Sequence, residues 1–200
     1  MRNSKVDIAN SPIEVQKKEL VRIVKLNPVL NELLDKTGEH IKFAWYYGAG
    51  CINQTVWNYL TSREITQGIG DYDLVYWDDS YSREKEVALE NKLSQNFSHL
   101  NFNKLDVTNE AGVHTWFHEK FGQKIEKYKN LEHSISTWPS TATCIGITKR
   151  NNNYFVVAPY GLQDLFNMTV RINKPYTIEK VFEAKTSKWL KKWPELKIIR

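Results

Sequence analysis

Cysteine is nearly absent from this sequence, with only Cys51 and Cys144 among 200 residues. The two lie far apart in the chain, so they provide neither zinc-type spacing nor a disulfide framework. A chain of this length buries enough surface to fold without crosslinks. We therefore predict a reducing compartment and a cytoplasmic location.

Long apolar runs are also missing. No stretch approaches the roughly 20 residues that span a bilayer, and the start, M-R-N-S-K-V-D-I-A-N-S-P, lacks the apolar core of a signal peptide. No repeat and no Gly-, Pro- or Ser-rich linker divides the chain. We predict a single domain over 1–200, with an N-terminal helical segment at 1–40 and a C-terminal one at 176–200. We expect no membrane association and no obligate protein partner.

Positive charge and aromatic rings are what the composition does contain. Lys and Arg number 28 against 23 Asp and Glu, a net charge of +5, and 12% of the residues are aromatic. This charge balance is compatible with a phosphate-bearing partner but does not identify one. The rings predict a core built on large side chains.

Short apolar or aromatic segments predict about five strands. They lie at 43–47, 71–77, 105–107, 144–148 and 154–157, and the polar K-R-N-N-N between the last two indicates a hairpin. Helical patterns separate the first three and predict βαβ units. The order predicts an α/β (α+β) fold, with a mixed sheet of about five strands flanked by helices.

Helix starts are predicted from capping residues. Ser11 with Glu14 forms a capping-box pattern before the first helix. Asn109 and Thr177 can cap the helices that follow them. Gly122 predicts the end of the helix that Asn109 begins.

Two aspartates, Asp71 and Asp73, stand two apart at the start of the predicted strand D-Y-D-L-V-Y-W. The strand period places both on one face, about 6–7 Å apart. Like charges repel there unless a cation lies between them, and Mg²⁺ binds through one or two carboxylates plus substrate phosphates. The pair suggests a metal site. The other interpretation is a strand start with two solvated acids.

The turn Gly48-Ala49-Gly50-Cys51 joins a predicted strand to a helix. Glycines let the backbone approach an anion, and a helix N-terminus supplies free N–H groups, although a plain tight turn also favours Gly. A dinucleotide-binding G-x-G-x-x-G motif is disfavoured because Asn53 stands at its third glycine. The acids also begin their strand, whereas a ribose-binding acid ends one.

Together these features resemble the polymerase-beta nucleotidyltransferase superfamily. Its pattern is a Gly-rich turn that opens a helix, Asp-x-Asp on the next strand and a third acid on a later strand. The third acid here is Asp106, in L-D-V, whose other interpretation is a surface strand acid. The chain from about Trp45 to Trp193 resembles an uncharacterised bacterial nucleotidyltransferase family of that superfamily. The blocks that carry this resemblance are G-A-G-C-I-N-Q-T-V-W-N, D-Y-D-L-V-Y-W-D, H-S-I-S-T-W-P-S-T-A-T-C-I-G-I and A-P-Y-G-L-Q-D-L-F.

The resemblance implies transfer of a nucleoside monophosphate from NTP to an unknown small-molecule, RNA or protein acceptor. It implies Mg²⁺ or Mn²⁺ as cofactor. The implied catalytic and metal-binding residues are Asp71, Asp73 and Asp106. The implied nucleotide-binding residues are Gly48, Ala49, Gly50 and Cys51. Without metal, three carboxylates in one cleft should raise at least one pKa.

The sequence departs from the superfamily pattern in ways that leave a second function open. The superfamily usually has Gly or Ser where Ala49 and Cys51 stand, and relatives carry Arg at the positions of Asn53 and Gly112. The missing hydroxyl and cations are compatible with a catalytically inactive nucleotide- or RNA-binding module of the same fold. Candidate replacement cations are Arg63, Arg171 and Lys174.

Two further groups of residues have open roles. Trp57, Trp77 and Trp138 are expected in the core, with stacking on a base as the alternative. A basic face on the last predicted helix is expected to be solvated, with contact to RNA phosphates as the alternative. That face comprises Lys185, Lys188, Lys191 and Lys192.

Overall fold

The fold is a mixed sheet with helices on both faces, seen here in a computed structural model that describes residues 7–200. Residues 1–6 lie outside the described residues. They begin the predicted N-terminal helical segment and belong to the stretch predicted to lack a signal peptide. Among the described residues no helix combines the length and apolar character that crossing a bilayer requires.

Residues 7–200 contain eight α-helices, besides three short 3₁₀ segments. They are α1 (Ile13–Val24), α2 (Pro28–Lys36), α3 (Gly50–Leu60), α4 (Arg83–Asn96), α5 (Val113–Phe121), α6 (Leu131–Ser136), α7 (Gln163–Phe166) and α8 (Glu179–Lys192).

The same residues contain seven strands. They are β1 (Ala44–Gly48), β2 (Tyr72–Trp77), β3 (Leu105–Asn109), β4 (Gly146–Arg150), β5 (Asn153–Val157), β6 (Thr169–Arg171) and β7 (Lys197–Ile199). The main sheet has the order β3-β2-β1-β4-β5, which confirms the predicted mixed sheet of five strands. The small parallel sheet β6-β7 was not predicted, because three-residue strands carry no detectable periodicity.

The first predicted βαβ unit is wrong, since β1 and β2 are antiparallel. The connection 61–70 after α3 returns the chain to the end of the sheet where β1 finished. The next unit, β2-α4-β3, has the predicted parallel arrangement. The end of β1 therefore meets the starts of β2 and β3 at one edge of the sheet, and this edge carries the acids.

The three predicted capping roles are also wrong. The Ser11 hydroxyl donates to the carbonyl of Asp7, so Pro12 stands at the N-cap of α1 without a side-chain cap. Asn109 ends β3 and accepts from the N–H groups of Asp78 and Ala111. Thr177 donates to a carbonyl across the fold. Asn109 and Thr177 have tertiary partners that local sequence does not reveal, whereas Ser11 bonds to a carbonyl only four residues earlier.

Gly122 ends α5 as predicted, with φ of +74° and its N–H bonded to the His118 carbonyl. Only glycine adopts this left-handed conformation without strain, which explains why the helix stops there.

The two faces of the sheet are covered unequally. Tyr47, Leu74 and Val107 point into the large hydrophobic cluster that packs against α1, α2 and α3. The opposite face carries a small cluster, in which Tyr46 and Val75 pack against α6. The thinly covered face leaves room for a cavity at the acid-bearing edge.

Aromatic side chains anchor α8 to the rest of the fold. Trp193, directly after the helix, is buried, and its indole N–H donates to Asn58 Oδ1 at 2.8 Å. Trp189 packs edge-on against Trp57, with ring centroids 5.6 Å apart. Trp57 is itself fully buried, which confirms its predicted core role. These contacts fix the side of α8 that faces the sheet edge.

Candidate active site

Three aspartates lie at one edge of the sheet. Asp73 is opposite Asp106 on the neighbouring parallel strand and opposite Gly48 on β1. Asp71 comes immediately before β2, two residues from Asp73, so both project to the thinly covered face. All three aspartates line one cavity of about 310 Å³. The structure thus brings together the three carboxylates that the sequence singled out.

The turn before α3 forms another wall of this cavity. Ala49 and Gly50 line it, and a Cβ on Gly50 would lie 3.7 Å from Asp71 Oδ1 and 3.8 Å from Asp73 Oδ2. Ala49 has φ of +49°, a strained conformation for a residue with a side chain. Among the described residues, the N–H groups of Gly50 and Cys51 have no acceptor. They are the free donors that a phosphate uses at a helix N-terminus.

Gly48 and Cys51 do not line the cavity. A Cβ on Gly48 would lie 2.5 Å from the Trp138 ring, so this glycine is required by packing rather than by close approach of a phosphate. The Cys51 thiol is fully buried and donates to the Gly48 carbonyl at 3.2 Å. Burial raises the pKa of this thiol well above its usual value. The side chain of Cys51 is therefore not placed to meet a phosphate.

Cys51→Ser is therefore expected to leave nucleotide affinity within about twofold of wild type. The new hydroxyl would bond to the Gly48 carbonyl, as the thiol does, instead of pointing into the cavity. Calorimetric titration of both forms with a non-hydrolysable NTP and Mg²⁺ measures this. A clear gain in affinity would show that the side chain reaches the phosphate after all.

Burial and repulsion both act on Asp73. Its pKa is raised to about 7, first by burial and then by the charge of Asp71, while the Lys185 ammonium opposes the shift. The charge of Asp106 raises it further. The expectation of at least one raised pKa is confirmed, although burial is a larger cause than repulsion.

Asp106 already has a cationic partner. Its Oδ2 accepts from Lys104 Nζ at 2.7 Å, in a partly exposed ion pair. Within residues 7–200, no three His, Cys, Asp or Glu side chains are gathered closely enough to form a ready metal cluster. The predicted third ligand therefore lines the cavity while bound to lysine.

Glu110 is a cavity carboxylate that the sequence analysis missed. It follows β3 and is only 6% exposed, and it lines the cavity with Asp106 and Thr108. Burial raises its pKa to about 8, and the charges of Glu86 and Asp73 add to the shift. The signal was available, because residues 106, 108 and 110 follow the strand period that brought Asp71 and Asp73 together.

Gln54 is the second missed residue. It lies one helical turn after Gly50, is 6% exposed and lines the cavity. Its Oε1 has no hydrogen-bond partner among the described residues. A buried amide oxygen without a partner is costly, so this atom is open to a hydrogen bond from a water or a ligand in the cavity.

The cations of the cavity come from α8. Lys185 and Lys188 line it, and neither takes part in an ion pair among the described residues. Arg63 and Arg171 are paired with carboxylates elsewhere. Lys174 does not line the cavity.

The rest of the predicted basic face is placed differently. Lys191 lies exposed outside the cavity, and Lys192 donates to the Gly68 carbonyl. All four lysines of this face are exposed, as predicted, and Lys185 and Lys188 also line the cavity at the acid-bearing edge.

The donor set suits a divalent cation. Neither Asp71 nor Asp73 has a hydrogen-bond or ion-pair partner of its side chain in the described part of the chain, and the orphaned Gln54 Oε1 lies in the same cavity. Oxygen atoms of this kind are the ligands that Mg²⁺ and Mn²⁺ prefer. Asp71 and Asp73 are the residues placed to hold such an ion.

The fold and the site define a class of protein. A mixed sheet whose second strand begins with paired acids, beside a helix that opens after a Gly-containing turn, is the arrangement of nucleotidyltransferase domains. The sequence profile of a family described as "Nucleotidyltransferase" matches residues 42–198, which is most of the chain. The chain belongs to this nucleotidyltransferase family. No curated protein matches it.

The solved structures that are similar to this chain include the following two. One, determined by NMR and described as revealing a CCA-adding enzyme head domain, has a TM-score of 0.75 and 22% identity, over 95% of this chain and 98% of that one. The other, from a tRNA-processing enzyme complex, has a TM-score of 0.48 and 16% identity, over 84% of this chain and 42% of that one. At this identity, the first supports the nucleotidyltransferase head-domain fold.

Proposed function

We propose that this protein transfers a nucleoside monophosphate from NTP to an acceptor hydroxyl or amine, in a reaction that depends on Mg²⁺ or Mn²⁺. The observation that carries the proposal is the cavity in which Asp71 and Asp73, both without partners among the described residues, face the free N–H groups at the start of α3. The family supports a nucleotide as the substrate.

Each wall of the cavity has a role in this reaction. The N–H groups of Gly50 and Cys51 bind phosphate oxygens, and Lys185 and Lys188 offset the remaining phosphate charge. Asp71 and Asp73 hold the metal, which neutralises developing charge on the phosphates when bound.

The transfer exchanges one phosphorus–oxygen bond for a new bond to phosphorus. The acceptor atom bonds to the α-phosphorus as the bond to the β-phosphate oxygen breaks. Pyrophosphate leaves with the electron pair. The acceptor's proton passes to Asp106, once its ion pair with Lys104 opens.

Replacing both cavity lysines by methionine, Lys185→Met and Lys188→Met, is expected to weaken NTP binding by about tenfold or more. Two charge-assisted contacts to phosphate are lost, and methionine keeps the unbranched shape and most of the length of the side chain. Isothermal titration with NTP and Mg²⁺ at two salt concentrations measures the loss and its reduced salt dependence.

Lys191→Met is the matched control, because Lys191 lies on the same helix but outside the cavity. It removes one positive charge, as each substitution of the double variant does, and is expected to bind NTP as wild type does. An equal loss per removed charge in the control and in the double variant would mean that only net charge matters.

A second candidate function is a catalytically inactive nucleotide- or RNA-binding module. The observation that favours it is the pairing of Asp106 with Lys104 and the absence, within residues 7–200, of a ready three-acid cluster. The two functions differ in their need for metal. An enzyme gains thermal stability from NTP only with Mg²⁺ or Mn²⁺, whereas an RNA-binding module shows salt-dependent RNA affinity without them.

The decisive experiment is incubation with each labelled NTP, a divalent metal and a pool of metabolites and cellular RNA. A labelled product that needs both metal and Asp73 supports the enzyme. Metal-independent RNA binding without any labelled product supports the binding module.

A further inference from the structure

A second cavity of about 600 Å³ lies beside the acid cavity. The proposed reaction gives this second cavity no role. The two cavities share Trp138, Pro139 and Lys185. They are therefore neighbours, separated by the Trp138–Pro139 segment after α6 and by one face of α8. A molecule with its phosphates at the acid cavity can extend past this divider.

Aromatic rings line the second cavity. Phe117 and Phe121 on α5 lie with ring centroids 4.6 Å apart. Tyr128 contributes a partly buried ring, and Tyr176 one that is 44% exposed. A solvent-accessible set of rings around a cavity offers flat faces for stacking.

Size and charge point to the same occupant. The acid cavity, at about 310 Å³, is at the small end of ligand sites and is already lined by acids and lysines that suit phosphates and metal. The larger cavity has aromatic walls, with Lys127, Lys129 and Lys185 among its lining residues. Rings beside ammonium groups are the combination that binds bases together with the phosphates attached to them.

We propose that this second cavity binds a nucleobase, stacked on the rings of Phe117 and Phe121 of α5 and on those of Tyr128 and Tyr176. The proposal rests on the proposed function, because the base belongs to a nucleotide whose phosphate or reacting hydroxyl lies in the acid cavity. Two sources share this chemistry: the base of the NTP and the terminal base of an RNA acceptor.

The test uses Phe121→Ala and Tyr176→Ala, two ring deletions on different walls. Phe155→Ala is the control, since Phe155 is 50% exposed on β5 and lines neither cavity. Circular dichroism first verifies that each variant is folded. Three probes are then titrated with Mg²⁺ present: inorganic tripolyphosphate, each of the four NTPs and a short single-stranded RNA of mixed sequence.

If the NTP base occupies the cavity, both ring deletions weaken NTP binding about tenfold and leave tripolyphosphate binding unchanged. If the acceptor base occupies it, the same deletions weaken RNA binding about tenfold and leave NTP binding unchanged. In either case Phe155→Ala binds as wild type does.

Three outcomes overturn the nucleobase site. They are wild-type affinity of both ring deletions for every NTP and for RNA, an equal loss in the Phe155 control, and a wild-type protein that binds neither NTP nor RNA. Tripolyphosphate reports on the proposed phosphate site alone. If tripolyphosphate does not bind to wild type, the proposed function is contradicted. If tripolyphosphate binds and both ring deletions keep wild-type affinity for NTP and RNA, only the nucleobase site is contradicted.

Discussion

Asp73→Asn is expected to reduce Mg²⁺-dependent nucleotidyl transfer by roughly a hundred- to a thousandfold. The change removes one of the two cavity aspartates that lack ion-pair partners among the described residues. Asparagine has nearly the same volume, so metal affinity falls while the cavity keeps its shape. The measurement is initial rate with labelled NTP over a range of Mg²⁺ concentrations, once an acceptor is known. Mg²⁺-dependent NTP binding by calorimetry serves before that.

Asp35→Asn is the matched control for this substitution. Asp35 forms an ion pair with Lys149 on β4 and lies outside the acid cavity. It is expected to retain wild-type transfer and NTP binding. Wild-type metal dependence in the Asp73 variant would remove Asp73 from the catalytic set.

The Glu110→Gln variant is expected to be more stable than wild type at high pH. The difference in the free energy of unfolding should grow as the pH rises from about 4.5 to about 8. Burial raises the pKa of this carboxyl in the folded state, so the folded protein holds a proton that the unfolded chain releases near its ordinary value. Wild type therefore loses stability through that window, while glutamine has no proton to lose. The gain should be on the order of 2–4 kcal/mol above pH 8 and near zero below pH 4.

Urea unfolding in EDTA at several pH values measures this difference. Glu14→Gln is the control, because Glu14 is well exposed on α1 and its change should alter stability little at any pH. If the difference in unfolding free energy between Glu110→Gln and wild type stays constant across this pH window, the pKa of Glu110 is not raised. Its neighbours would then stabilise the carboxylate enough to offset burial. Asp73→Asn should show the same sign, with its window ending near pH 7.

Strand periodicity predicted the Asp71 and Asp73 pair, and the resemblance to the superfamily added Asp106. Asp71 and Asp73 lie on one face because strand geometry dictates it, and Asp106 joins them because β2 and β3 are parallel and in register. The turn 48–51 was predicted to open a helix, and α3 does begin at Gly50. These features depend on residues close in sequence or on one βαβ unit.

The remaining parts of the cavity depend on tertiary structure. Lys185 lies more than a hundred residues after Asp73. The side of α8 that faces the acids depends on tertiary contacts, among them those of Trp189 and Trp193. Cys51 was predicted at a phosphate site, but its side chain turns inward to a carbonyl. Sequence spacing indicates that a residue is near a turn, and it does not indicate the direction of its side chain.

The position of α8 has a consequence for the order in which the site forms during synthesis. The carboxylates on β2 and β3 leave the ribosome early, whereas Lys185 and Lys188 leave it late, and β7 pairs with β6 later still. A nascent chain that has completed β3 exposes an acidic edge with none of the lysines of α8. We expect it to reach full nucleotide affinity only when α8 has docked through Trp193, which couples the strength of binding to completion of this helix.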